Sequence, residues 1–225
     1  MILASISDRK LLKEWITLEK QFSNNNYNSV GHFNTFDLSR TNVSFQEILF
    51  CAPHALNHFR NNKIKIADVS TGSLCQILTE NTGQSGLIST CPDEDVTFMG
   101  FGREYISRIK NAVDNELMIV DLHGMSDKYD LDICIGTGPN PSPRVDRLVE
   151  YLVNDLVEYR ISINEPFSAL GSHTITNFVQ TKLGGDAIQI EIASGLRDLK
   201  CNPDKCEVFL SSIIKAFNSY IELSE

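Results

Sequence analysis

Three polar residues lie where apolar stretches of the sequence end or helical patterns begin. His54 follows the run EILFCAP, Asp68 precedes the pattern STGSLCQILTE, and His123 follows ELMIVDL. A hydrolytic zinc site needs three protein ligands drawn from His, Asp or Glu, and one open position for water. Two histidines and one carboxylate are a common set, so we expect His54, Asp68 and His123 to hold a zinc ion.

A fourth residue, Glu191, stands between Ile190 and Ile192 in the apolar stretch AIQIEIA. Burying an ionised carboxylate without a partner costs several kcal/mol, so such a residue usually has a cation, a metal or a catalytic task nearby. As a general base it would take a proton from metal-bound water, whose pKa zinc lowers to about 7. The alternative is a structural ion pair with Arg197 or Lys65.

Other interpretations of these residues stay open at this stage. Asp68 precedes a predicted helix and could cap its first turn instead of binding metal. His58 lies between His54 and Asp68 in the sequence and could compete for the third ligand position. A set of two histidines and one carboxylate also suits iron, manganese or cobalt, with zinc as the preferred ion.

The elements that must position these residues alternate along the chain. From Glu47 onward, short apolar runs alternate with helical patterns, which is typical of parallel strands joined by crossover helices. The predicted strands are EILFCA, ELMIVDL, DICIG and AIQIEIA, and the predicted helices cover 8–21, 72–80, 102–114, 144–158, 174–182 and 204–223. In such sheets a ligand site lies outside the carboxyl ends of the strands, where His54 and His123 are expected.

The chain length and this pattern predict one α/β domain with a mixed, mostly parallel central sheet flanked by helices. A length of 225 residues is within reach of a single large unit. Residues 1–45 are expected to form an N-terminal flank, 46–200 the catalytic core and 201–225 a C-terminal helix. The pattern leaves the oligomeric state open.

Composition excludes several classes of protein. Hydrophobic residues make up 42% and charged residues 22% of the chain, which indicates an ordered globular protein. The net charge of -9 and the scattered basic residues argue against a nucleic-acid partner. Without an apolar run of about 18–20 residues or a signal-peptide pattern, we expect no membrane association and a cytoplasmic location.

The six cysteines fall mostly in apolar segments, which favours reduced core residues. Cys201 and Cys206 are the exception, because they flank the turn NPDK and could form a disulfide or hold a metal.

Four blocks in order along the chain resemble the N-formylglutamate amidohydrolase family, which is related in fold to the zinc carboxypeptidases. The blocks span about residues 48–198 and are APHALNHFRNNKIKIADVSTGSL, IVDLHGM, DICIGTG, and NEPFSALGSHTIT with AIQIEI. The resemblance implies a zinc carboxypeptidase-like fold and zinc ligands at His54, Asp68 and His123. It also implies that Glu191 is the catalytic carboxylate.

The sequence departs from that family at two points. The acidic ligand is an aspartate in ADVSTGSL, where related proteins often have a glutamate. The family's arginine for the substrate carboxylate has three candidates here, Arg60, Arg144 and Arg197. We expect His173 to contact the substrate, and His58 and Lys65 to lie beside the metal ligands.

The resemblance implies hydrolysis of a small N-acyl or N-formyl amino acid, or of a related carboxylate-bearing amide. One alternative is a metallopeptidase that acts on a γ-linked or C-terminal peptide bond. Another is a module that binds a metal or ligand without turnover. A serine or cysteine hydrolase is disfavoured, because the sequence has no G-x-S-x-G motif.

Overall fold

A computed structural model describes residues 8–29, 35–37, 46–60, 62–90 and 104–223. Over these ranges the chain forms six α-helices and nine β-strands. The helices are α1 (Asp8–Ser23), α2 (Thr71–Thr82), α3 (Glu104–Asp114), α4 (Pro143–Asp155), α5 (Ile175–Phe178) and α6 (Pro203–Glu222). The strands are β1 (Thr35–Asp37), β2 (Ile48–Ala52), β3 (His58–Arg60), β4 (Lys63–Lys65), β5 (Ser85–Ser89), β6 (Met118–Met125), β7 (Ile133–Gly136), β8 (Ile161–Ile163) and β9 (Ala187–Ala193).

Seven of these strands form one sheet in the order β1-β5-β2-β6-β9-β7-β8. Strand β2 is parallel to β5 and β6, β6 is parallel to β9, and β7 is parallel to β8. The pairs β1–β5 and β7–β9 are antiparallel. The predicted mixed, mostly parallel sheet is therefore confirmed. The central strands are near-continuous apolar runs because helices cover both of their faces.

Each face of the sheet has its own layer of helices. Successive residues of β2 point to opposite faces, so Phe50 joins the larger core with α1, α2, α4 and α6, whereas Leu49 and Cys51 join a smaller core with α3 and α5. In the larger core Phe50 and Phe217 meet edge to face, with ring centroids 4.8 Å apart. The molecule is thus a three-layer helix–sheet–helix sandwich.

Helix α1 belongs to the larger core and is held there by polar contacts as well. Trp15 and Phe22 are buried among the residues of α2 and α6. The Trp15 Nε1–H donates to Ser73 Oγ over 2.9 Å, and that hydroxyl donates to Glu19 Oε2 over 2.5 Å. The N-terminal helix is therefore fixed to the first turn of α2, which begins three residues after Asp68.

The predicted helices agree with the structure to within a few residues, apart from one. The segment predicted as a helix over 174–182 is the short α5 followed by a π-helical turn, Val179–Leu183. Thr174 caps the start of α5, since its hydroxyl accepts a hydrogen bond from the Asn177 N–H over 3.2 Å. The first residues of the helix predicted over 102–114 lie outside the described residues.

Five strands, β1, β3, β4, β5 and β8, were not predicted. Each has only three to five residues, and β3 pairs only with β4 in a small hairpin. Strands this short are stabilised mainly by pairing with their neighbours. Their sequences therefore show little of the alternating pattern from which a strand is predicted.

The cysteines of the described chain are unpaired. Four of them, Cys51, Cys75, Cys134 and Cys206, are buried, whereas Cys201 is exposed. Cys91 lies outside the described residues. The disulfide considered between Cys201 and Cys206 is thus not formed.

Within the described residues, no helix combines the length and the apolar character needed to cross a bilayer.

Candidate metal centre

The two histidines of the predicted zinc set lie at the same edge of the sheet. His54 follows the carboxyl end of β2, and His123 lies in the last part of β6. Strand β6 continues past His123 to Met125, beyond the predicted end. Because β2 and β6 are parallel neighbours, their carboxyl ends meet, and the His54 and His123 Nδ1 atoms lie 3.2 Å apart.

Asp68 reaches this edge because the chain folds back on itself after His54. The hairpin of β3 and β4 lies between the two residues, and the Asp68 N–H donates to the His54 carbonyl over 2.9 Å. The Asp68 carbonyl accepts the Thr71 hydroxyl at the start of α2. The N-cap position of α2 belongs to Ser70, so the Asp68 carboxylate does not cap the helix and faces the histidines instead.

Three donor atoms form a nearly equilateral triangle. His123 Nδ1 lies 3.2 Å from both His54 Nδ1 and Asp68 Oδ2, and the third side, from His54 Nδ1 to Asp68 Oδ2, is 3.5 Å. Bonds of about 2.0–2.1 Å at tetrahedral angles place two zinc ligands about 3.3–3.4 Å from each other. The spacing and the donor set therefore fit a zinc ion with one open position.

Asp121 determines which nitrogen of His123 can bind a metal. Its carboxylate is fully buried, and Oδ2 lies 3.0 Å from His123 Nε2. Burial opposes a charge on the ring, but Asp121 and Asp68 together hold the pKa of His123 well above its ordinary value. A metal must displace a proton from this ring. The hydrogen on Nε2 then stays with Asp121, and the Nδ1 lone pair faces the other two ligands.

Lys65 binds the side of Asp68 that faces away from the histidines. Its Nζ lies 2.8 Å from Asp68 Oδ1, which leaves Oδ2 to the triangle. Burial would raise the pKa of Asp68, but hydrogen bonds from His123 and His54 and the charge of Lys65 hold it well below the ordinary value. Asp68 is therefore an anion, as a metal ligand must be.

Glu191 stands directly beside His123 in the sheet. Strands β6 and β9 are in register with His123 opposite Glu191, and Gln189 Nε2 donates to Glu191 Oε1 over 2.9 Å. Burial raises the pKa of the Glu191 carboxyl. A carboxylate with a raised pKa accepts a proton more readily at neutral pH, as a general base requires.

Sequence reasoning missed the supporting roles of Asp121 and Gln189. Each lies two residues before a predicted functional residue, His123 or Glu191, and therefore on the same face of its strand. The signal was present in the patterns D-x-H and Q-x-E, where a polar residue recurs with a period of two inside an apolar strand.

The ligand triangle opens into a cavity of about 480 Å³. The loops after β6 and β8 form much of the remaining wall. The lining residues from these loops include Lys128, Tyr129, Phe167, Leu170 and His173, and Met125 at the end of β6 also lines the cavity. Glu191, Gln189, Lys65 and Arg60 also line the cavity, so the candidate base and three nitrogen-bearing side chains face the same space.

Besides Lys65, three of the residues expected near the substrate or the ligands lie there. Arg60 Nη2 lies 3.4 Å from His54 Nε2, and His173 lies on the cavity wall above Gly171. His58 stacks on His54, with ring centroids 4.6 Å apart, and its Nδ1 lies 3.0 Å from the Leu56 carbonyl oxygen. His58 therefore packs against His54, while Asp68 is the residue that lies with the two histidines in the donor triangle.

The structure does not bring the other two arginine candidates to the cavity. Arg144 donates to the carbonyls of Glu116 and Glu47, over 2.8 and 3.1 Å, at the amino ends of β6 and β2. Arg197 donates to main-chain carbonyls behind the metal centre. Neither is among the described residues that line the cavity.

Comparisons with known proteins find similarity at the level of structure. No protein-family model and no curated protein sequence matches the chain. A bacteriophage poly-gamma-glutamate hydrolase matches 90% of this chain over 94% of its own, with a TM-score of 0.58 and 18% sequence identity. N-formylglutamate amidohydrolase from Ralstonia eutropha matches 85% of this chain over 99% of its own, with a TM-score of 0.54 and 12% identity.

A metallo-carboxypeptidase from Pseudomonas aeruginosa matches 97% of this chain over 69% of its own, with a TM-score of 0.52 and 12% identity. At these identities the likeness establishes the fold. The chain has the fold shared by N-formylglutamate amidohydrolase and metallo-carboxypeptidases, as predicted from the sequence.

Proposed function

We propose that this protein is a zinc-dependent amidohydrolase that cleaves the amide bond of a small N-acyl amino acid, N-formyl amino acids included, or of a related carboxylate-bearing amide. One observation carries the proposal. The donor atoms of His54, Asp68 and His123 converge at zinc-ligand spacing on the wall of a cavity that also contains Glu191. A structural metal site is closed, whereas a hydrolytic site keeps an open position next to a base.

Bound zinc would supply a Lewis acid that polarises the amide carbonyl and acidifies water. Glu191 accepts the proton of the attacking water and delivers it to the nitrogen of the leaving amine, so the products are a carboxylic acid and an amine. Gln189 holds the Glu191 carboxylate by donating to Oε1. This hydrogen bond favours one orientation of the base throughout the proton transfers.

Arg60 is the arginine that suits a substrate carboxylate. Of the three sequence candidates it alone lines the cavity in the described structure, and its guanidinium lies beside His54. A guanidinium binds a carboxylate through two parallel N–H donors, which also fixes the direction of the substrate. His173, on the wall formed by the loop after β8, is placed to contact the same substrate.

A second candidate is a peptidase that acts on γ-linked glutamate. The structurally similar phage enzyme is a poly-gamma-glutamate hydrolase. The cavity wall here contains Arg60, Lys65 and Lys128, and a chain of γ-linked glutamates presents a free carboxylate on every residue. In both candidate substrates the cleaved bond is an amide, and the two differ only in the groups attached on either side of that amide.

Two measurements test the proposal. Elemental mass spectrometry of the purified protein should find about one zinc per chain, and His54→Ala and His123→Ala should each remove it. A panel of N-formyl and N-acyl amino acids and short γ-glutamyl peptides should then identify the hydrolysed bond. The localisation predicted from the sequence stays a prediction.

Glu191→Gln separates an enzyme from a metal-binding module. We expect this variant to retain zinc and to lose at least about a hundredfold in kcat/KM, because general-base groups contribute about 10²–10⁴. The matched control is Glu158→Gln, the same change at an exposed glutamate after α4. Full activity in Glu191→Gln would refute its role, and no hydrolysis by the zinc-loaded wild type would favour a binding module.

A further inference from the structure

Arg197 is a buried cation directly behind the metal centre. The side chain is 5% exposed, and its guanidinium donates to three main-chain carbonyls. Nε donates to Ile192 O over 2.9 Å, Nη2 donates to Met125 O over 3.3 Å, and Nη1 donates to Val69 O. Every nitrogen of the guanidinium is thus used to bind the backbone.

Each of these carbonyls belongs to a segment that carries one functional residue. Val69 follows Asp68, Ile192 follows Glu191, and Met125 ends the strand that contains His123. These segments are far apart in the sequence: Val69 is 128 residues from Arg197, and Met125 is 72 residues from it. One side chain therefore joins the loop of Asp68 to the carboxyl ends of β6 and β9.

Gly124 permits the close approach of this guanidinium to β6. A Cβ atom at Gly124 would lie 2.4 Å from Arg197 Nη2 and 2.5 Å from Cζ, distances that no side chain tolerates. Because side chains alternate along a strand, this space lies on the opposite face of β6 from His123. The plane of the guanidinium is therefore held against the backbone that carries the ligand.

We propose that Arg197 is a positioning residue, which sets the distances among Asp68, His123 and Glu191 by holding their three main-chain segments together. This inference rests on the proposed metal site. The planar guanidinium presents donors in several fixed directions, which a lysine ammonium cannot reproduce. Its positive charge also lies near the Asp68 and Glu191 carboxylates, which reduces their mutual repulsion.

Arg197→Lys tests this role, and Arg144→Lys is its matched control. Lysine keeps the charge and most of the apolar stem but cannot span the three carbonyls. Arg144 also donates to two main-chain carbonyls and lies near Asp186, but at the opposite edge of the sheet. Both changes are expected to lower stability, whereas only the first should alter the metal site.

The readouts are zinc affinity, measured by competition with a chromophoric chelator, and the visible absorption spectrum of the cobalt-loaded protein, which reports ligand geometry. We expect Arg197→Lys to weaken zinc binding about 10- to 100-fold, as loss of groups that orient ligands does, and to change the cobalt spectrum. Arg144→Lys should leave both at wild-type values. Wild-type affinity and spectrum in Arg197→Lys would overturn the proposal.

Gly124→Ala gives a second test in case Arg197→Lys does not fold. It keeps the arginine but displaces its guanidinium, so it should weaken zinc binding and change the cobalt spectrum in the same direction. Wild-type values in this variant would also overturn the proposal. If the wild-type protein itself binds neither zinc nor cobalt, the proposed function fails, a result distinct from the failure of Arg197 alone.

Discussion

Glu191 holds a carboxyl group where water has little access. It is 8% exposed, and it accepts a hydrogen bond from the side-chain amide of Gln189. Before a metal binds, the folded protein must either keep a proton on this group or bear a buried negative charge, and both cost stability at neutral pH. The Glu191 carboxyl, which suits the proposed catalysis, therefore lowers the stability of the folded protein, a trade-off common at active sites.

We therefore expect Glu191→Gln to stabilise the metal-free protein. Burial raises the pKa of Glu191 above its ordinary value of 4.5, so the folded state binds the proton more tightly than the unfolded chain does. The stability linked to this proton is present below that value and is lost as the pH rises through the raised pKa. The variant should thus gain stability over wild type as the pH rises above about 4.5.

Thermal unfolding in the presence of a chelator measures this effect. Each kcal/mol gained should raise the melting temperature by about 2–4 °C in a protein of this size. A difference that is constant from acid to neutral pH would show that the glutamate is not destabilising through its charge.

Replacing Asp121 should lower the affinity for zinc, although Asp121 is not itself one of the proposed metal ligands. Asp121→Asn keeps an oxygen for the His123 Nε2–H but loses the negative charge that makes the ring a stronger ligand. We expect zinc affinity to fall about 10- to 100-fold. Isothermal titration calorimetry against Asp146→Asn, an exposed control on α4, measures it. Equal affinities in the two variants would contradict the role of Asp121.

The four proposed site residues stand out in the sequence by their positions: three lie at the ends of predicted elements, and Glu191 is a carboxylate within an apolar strand. His54 comes after a strand that Pro53 helps to end, and Asp68 comes before a helical pattern. The partners could not be assigned in the same way. Arg197 was one of three candidates for binding the substrate carboxylate. The sequence could not choose among them, because no pattern shows where the side chain of an arginine in a loop points. Only the fold shows that its guanidinium faces the backbone and not the cavity.

At the scale of elements, α1 and α2 are joined by a small buried polar network. Ser73 on α2 accepts from Trp15 and donates to Glu19, and Tyr27 donates to the same carboxylate. Burial raises the pKa of Glu19, which the hydrogen bonds from Ser73 and Tyr27 partly offset. Because α2 begins three residues after Asp68, this network also supports the loop that contains Asp68, a proposed metal ligand.

Ser73→Ala should therefore weaken the attachment of α1. It leaves the Trp15 N–H and one oxygen of Glu19 without their shared partner, at a cost of about 1–3 kcal/mol. Trp15 is the single tryptophan of the chain, so its fluorescence reports directly on this helix during denaturation by urea. Thr17→Ala, at an exposed position of the same helix, should change stability by less than about 0.5 kcal/mol.

The elements themselves were predictable where they are long and apolar. Strand β9 has the predicted bounds, and α4 and α6 differ from the prediction by a few residues. Strands β3 and β4 were not predictable, because Phe59 and Ile64 form an exposed pair on one face of the hairpin. Their polar neighbours Arg60 and Lys65 line the cavity at the proposed metal site. The hairpin therefore lacks the alternation of buried apolar and exposed polar residues that usually marks a strand.

At the scale of the whole molecule, the proposed metal would join three separate segments of the chain, namely the loop after β2, the loop before α2 and the end of β6. Since the unfolded chain has no preformed site, binding should favour the folded state by about 2.7 kcal/mol when free zinc is at 100 times its dissociation constant. Adding zinc to the metal-free protein should then raise the melting temperature by about 5–10 °C.

Differential scanning fluorimetry measures this shift. His123→Ala should abolish the response to zinc, while Arg144→Lys should keep it. A shift that persists in His123→Ala would indicate binding elsewhere on the acidic surface of the protein.

The hairpin between His54 and Asp68 also has a consequence for the order of folding. Its strands pair within a short stretch of chain, and the Asp68 N–H bonds to the His54 carbonyl, so these two ligands can meet through local contacts alone. The third ligand, His123, arrives only when β6 pairs with β2, a contact between distant parts of the chain that forms slowly. In the proposed site, a nascent chain would therefore bring two of the ligands together early, and pairing of β6 with β2 would add the third.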